Sequence, residues 1–63
     1  MYKLQLGAIK ETYDDLDSAM IDCFGIYPDA DFSNWNSTTT ETWMDIYMSC
    51  ADNEIIGTIK EVE

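Results

Sequence analysis

The sequence predicts an α+β domain in which one amphipathic helix packs across a three-stranded, mainly antiparallel sheet, in the order β-α-β-β. Three observations carry this. Residues 2–9 alternate apolar and polar, residues 12–27 repeat apolar residues at helical spacing, and residues 40–49 alternate again before a turn and a second apolar segment at 54–62. One strand, one helix and a hairpin make two layers around one core. A chain of 63 residues forms a single domain, 1–63, and one of that size buries only about 60% of its unfolded surface. Its 46% apolar and 13% aromatic content is nevertheless too high for a disordered acidic tail.

The first strand places Tyr2, Leu4, Leu6 and Ala8 on one face, with Lys3 and Gln5 on the other. Thr12-x-x-Asp15 is a variant capping box that starts the helix, with Asp14 and Asp15 in a first turn whose dipole favours negative charge. Leu16, Ala19, Met20, Cys23, Phe24 and Tyr27 follow the i, i+3, i+4 rhythm of one helical face, and Tyr13 projects onto its edge. Pro28 cannot continue a helix, so the element stops near Gly25 to Tyr27. Residues 28–40 read as a loop, rich in Asp, Asn and Ser. Phe32 and Trp35 anchor it to one end of the core, and a short helical turn starting at Asp31 would make them neighbours.

In the hairpin, Thr42, Met44, Ile46 and Met48 alternate with Glu41, Trp43, Asp45 and Tyr47. The turn is Ala51-Asp52-Asn53, and Ile55, Ile56, Ile59 and Val62 follow around a central Gly57. Two arrangements stay open. Either the Thr42–Met48 set faces the helix and Trp43 and Tyr47 emerge on the far side with Asp45 between them, or the two aromatics form the core. Both leave an apolar sheet face in need of a partner, a second copy of the chain included.

Charge is the dominant feature. The net charge is −10, and from Glu11 to Ile59 the chain has eleven carboxylates and no lysine, arginine or histidine. Such self-repulsion lowers the stability of a small domain, and the field it creates attracts positive surfaces, commonly those that bind nucleic acid. The same charge argues against direct binding to nucleic acid or to anionic membranes. Opposite the apolar stripe of the helix stand Asp14, Asp15, Asp17, Ser18, Ile21 and Asp22. Four carboxylates over about 12 Å of helix give roughly one charge per 3 Å, near the axial spacing of one DNA strand. Asp29 and Asp31 follow the helix, and Trp43, Asp45 and Tyr47 suit arginine, which stacks on rings and pairs with carboxylates.

Other chemistry has little to stand on. There is no histidine, no nucleophile–base pair, no glycine-rich phosphate loop and no zinc spacing, so the chain reads as neither an enzyme nor a cofactor protein. Asp29-Ala30-Asp31-Phe32-Ser33 begins like a calcium loop, but Asn34 stands where glycine is needed and Thr40 where the bidentate glutamate is needed. Cys23 and Cys50 are expected reduced, Cys23 as a small buried hydrophobe. No apolar run approaches a bilayer span, and no secretory signal is recognisable in residues 1–5, so the expected compartment is the cytosol. The Asn36-Ser37-Thr38 glycosylation pattern is then accidental.

In size, charge and element order the whole chain resembles the small acidic phage-encoded proteins that take over or disarm a bacterial host. Within that group it is similar to the anti-CRISPR proteins that mimic double-stranded DNA. The resemblance implies a non-catalytic inhibitor in the bacterial cytoplasm whose partner is the basic DNA-binding surface of a CRISPR surveillance complex subunit. Asp14, Asp15, Asp17 and Asp22 would stand in for phosphates, and Ile21 would be a desolvating contact among them. Small acidic inhibitors of bacterial RNA polymerase share the pattern. The alternative is therefore an adaptor or polymerase inhibitor docking through the sheet and loop aromatics.

Overall fold

The computed structural model of the chain describes residues 1–48, 52 and 54–62. Its elements are β1 (Tyr2–Leu6), β2 (Ile9–Tyr13), α1 (Leu16–Ile26), β3 (Ala30–Phe32), β4 (Asn36–Ser37), β5 (Thr42–Met48) and β6 (Glu54–Glu61). The α+β class stands, with a single helix on an antiparallel sheet. Among the described residues the sheet has six strands rather than three, in the order β2-β1-β6-β5-β3, with β4 beside β5 on the same outer edge.

The first correction lies in residues 2–9. The alternation breaks at Gly7, which adopts φ +57° and, with Ala8, closes a two-residue hairpin between Leu6 and Ile9. Glycine at the first loop position is what a tight turn of the II′ kind requires. Ala8 is therefore an exposed turn residue and not part of the strand's inner face. Thr12 lies within β2 opposite Lys3, so it cannot cap the helix. Asp15 does so instead, with an extended backbone and a side chain that accepts a 2.8 Å hydrogen bond from the Ser18 amide. Asp14 precedes this cap, and Asp17 is the acid of the first turn. At the other end the Tyr27 amide donates to the Cys23 carbonyl, and Pro28 stops the helix where expected.

The second correction lies in residues 28–40. Instead of a helical turn at Asp31, β3 and β4 pair in succession along the outer edge of β5. Between them Ser33 stays tied to β5 by two bonds. Its amide donates to the Asp45 carbonyl and its hydroxyl accepts from the Asp45 amide, both at 2.9 Å. The open edge of β5 offers backbone partners that outweigh the local turn preferences of Asp and Asn. Phe32 packs on the core and meets Phe24 edge-on at 5.3 Å, whereas Trp35 leans on Tyr2 at 6.2 Å and stays 40% exposed.

The hairpin of β5 and β6 forms as expected. Asp52 sits in its turn with φ +57°, while Ala51, Asn53 and Cys50 lie outside the described residues. Ile46 stands opposite Gly57 but Tyr47 opposite Ile55, so Ile56 is an extra residue that bulges the strand. The bulge sends Ile56 toward the core and Ile55 to the outside.

Leu4, Leu6, Ala30, Met44, Ile46 and Ile59 from the sheet meet Ala19 and Cys23 from the helix in the core. The two helical residues are small and fully buried, which lets the helix backbone lie close to the sheet. Met44 and Ile46 thus face the helix, and Trp43 and Tyr47 lie on the far side, the first of the two arrangements. Among the described residues no helix is long and apolar enough to cross a membrane.

Candidate functional site

Strand register decides where the charges go. Leu4, Leu6 and Ile59 turn inward, so their neighbours Lys3, Gln5, Thr58 and Lys60 turn to the open face of the sheet. Lys3 stands directly opposite Lys60, and Lys10 opposite Gln5, which puts all three lysines of the chain on that face. Lys60 also pairs with Glu41 at 3.3 Å, an exposed contact of the kind that contributes little. The helix side receives no lysine.

What the helix side carries is carboxylate. Asp14, Asp15, Asp17 and Asp22 are all exposed, and Ile21 among them is 67% exposed. Glu11 joins them from β2, where pairing with Leu4 turns it toward the helix. The Ser18 amide holds the Asp15 carboxyl below the usual carboxylate range. The Asp22 carboxylate beside Tyr13, with partial desolvation, pushes the phenol up to about 12. At neutral pH the phenol keeps its proton. Burial pushes the Cys23 thiol up, which suits a packing role.

Nine of the ten residues singled out in the sequence therefore fall on two sides. Asp14, Asp15, Asp17, Ile21 and Asp22 form the helix side. Asp31, Trp43, Asp45 and Tyr47 belong to the open face, where Asp31 stands opposite Tyr47 and Ile55 is 61% exposed beside them. Asp29 lies in the exposed turn between the helix and β3. The residues of the calcium-like loop separate along an edge strand, and among the described residues no three His, Cys, Asp or Glu side chains gather as a metal site.

One feature of the helix side has no counterpart in the sequence reading. An open groove of about 600 Å³ runs between β2 and α1. Leu4 forms its floor, Ile9, Glu11 and Tyr13 one wall, and Ile21, Asp22, Gly25 and Ile26 the other. The helical wall is legible as i, i+1, i+4, i+5 spacing. The facing wall exists only because Gly7 and Ala8 turn the chain back, and Gly-x between two alternating runs was the signal for it.

Comparison with protein-family models, curated proteins and solved structures finds no match to this chain.

Proposed function

We propose that the protein is a non-catalytic inhibitor that occupies the DNA-binding site of a bacterial defence complex, a CRISPR effector, with the carboxylates of its helix side in place of phosphates. The observation that carries the reading is the separation of charge. Asp14, Asp15, Asp17, Asp22 and Glu11 share a side that no lysine reaches, while Lys3, Lys10 and Lys60 occupy the opposite sheet face. A solvated surface ordinarily mixes both signs. A surface of one sign steers association with a basic groove and repels nucleic acid itself, so the ligand it suits is the protein that binds DNA.

The alternative, an adaptor or RNA polymerase inhibitor docking through aromatics, draws support from Trp43 and Tyr47 emerging together on the open face. It is weakened by the mixed charge of that face, where Lys3, Lys10 and Lys60 offset Asp31, Asp45 and Glu41 and steer a basic partner less than the helix side does.

The test is competition between this protein and duplex DNA for a purified CRISPR effector, with Asp14, Asp17 and Asp22 all changed to Lys. The three positions are exposed, so folding survives. Inhibition should fall on the order of 100-fold, and the residual binding should lose most of its salt dependence. A folded triple variant with full potency would sink the proposal.

A further inference from the structure

We propose that the groove between β2 and α1 is a socket for an apolar side chain carried on a cationic segment of the partner protein. The inference rests on the acidic-surface reading and specifies what that surface recognises besides charge. Ile9, Ile21 and Ile26 line the groove at 40%, 67% and 44% exposure. Single exposed aliphatic side chains are ordinary, but three converging on one depression mark an interaction site. The same depression is rimmed by Glu11 and Asp22.

Gly25 supplies an independent observation. It lies in the last turn of the helix without a positive φ, and a Cβ added there would meet nothing within 4 Å. Neither backbone nor packing calls for glycine, a residue that weakens helices. Its effect is to leave the helical wall of the groove without a side chain at a position that lies between Ile21 and Ile26 in the chain.

The occupant follows from charge. A second copy seated here would set Glu11 and Asp22 against their own equivalents. Nucleic acid and anionic lipid would meet the same repulsion. A segment with a leucine or larger apolar side chain flanked by lysine or arginine satisfies both the isoleucines and the rim. Proteins that bind DNA have such segments where basic side chains project from an apolar framework. Pure charge mimicry, by contrast, would leave the isoleucines without a role.

The experiment uses two synthetic twelve-residue peptides of identical positive charge, one with two central leucines and the other with serines in their place. Titration into the ¹³C-methyl-labelled protein reads affinity and location together. The leucine peptide should bind about tenfold tighter, shifting the methyl signals of Ile9, Ile21 and Ile26 and leaving Ile55 of the open face unmoved. Gly25→Leu, which fills the groove without stressing the fold, should abolish the leucine preference while serine-peptide binding persists. Ile21→Ser should reduce the preference in the same way. Equal affinity for the two peptides, or a preference that survives both substitutions, overturns the socket. The triple lysine variant at Asp14, Asp17 and Asp22 separates the two ideas. If it binds both peptides as the native chain does, the acidic-surface reading fails. If it loses both peptides while the native chain never distinguished them, only the socket fails.

Discussion

Gly57 and Gly25 have opposite relations to their surroundings. A Cβ on Gly57 would collide with the Gln5 carbonyl oxygen and lie 2.8 Å from the Leu6 Cδ2. The first is backbone inside the β1–β6 ladder and the second belongs to a buried side chain, so neither yields cheaply. Gly57→Ala is expected to destabilise the fold by about 3 kcal/mol, read from chemical denaturation. That is a large part of the stability of a domain this size. A melting curve indistinguishable from the native one would refute the close approach. In the sequence Gly57 was visible only as a gap in a run of isoleucines, because its neighbour Gln5 belongs to another strand. The exposed residues fared better. Asp17, Ile21 and Asp22 were legible because helical spacing alone sets them opposite Leu16, Ala19 and Cys23, whereas Asp14 lies before the cap and owes its place to the chain entering the helix.

At the scale of elements, those that carry their own signals were read well. The helix has an apolar stripe and Pro28, and β5 has seven residues rich in β-branched, aromatic and apolar side chains next to a turn. The short strands β3 and β4 have no such signal, since three and two residues become strand only through the edge they join. The helix start was misplaced by three residues because Thr12 and Asp15 are both plausible caps and only the hairpin decides between them. The cap has a pH signature. The folded-state pKa of Asp15 lies below its ordinary value of 3.8, so the stability it contributes is present above that value and is lost as pH falls through the folded pKa. Asp15→Ala should melt lower at neutral pH and show a shallower loss of stability on acidification. Melts from about pH 6 to about pH 2 bracket the carboxylate range and measure both effects. Parallel pH profiles for the two proteins would mean that the carboxylate does not cap the helix.

For the whole molecule, the sequence predicted the acidity but not its distribution. The lysines sit near the chain ends, and nothing local says that Lys3 and Lys60 become neighbours or that Lys10 turns to the same face. Only the sheet register, set by which residues bury, brings them together. The helix side is consequently under repulsion that no neighbouring lysine relieves. Raising salt from about 20 mM to about 200 mM should increase the melting temperature of the unbound protein, because the screening length falls severalfold. The charge-reversed triple variant should respond much less. A native protein whose melting point falls with salt would contradict this account of its electrostatics.

The place of β6 has a consequence for how the chain acquires its structure. Among the described residues it is the last strand in order, yet within the sheet it lies between β1 and β5 and joins the β2–β1 hairpin to the β5–β3 edge. The hairpin and the helix can form from local contacts, but the rest of the sheet must wait for a closure between distant parts of the chain, whose entropy is lost before contacts repay it. Folding should be slow for so small a domain. During synthesis the chain before β6 holds two strands with unpaired edges, the condition in which sheets join to the wrong neighbour. By then most of the carboxylates have already been added. Like charges keep one unfinished chain away from the next, so the acidity proposed to serve binding also guards assembly.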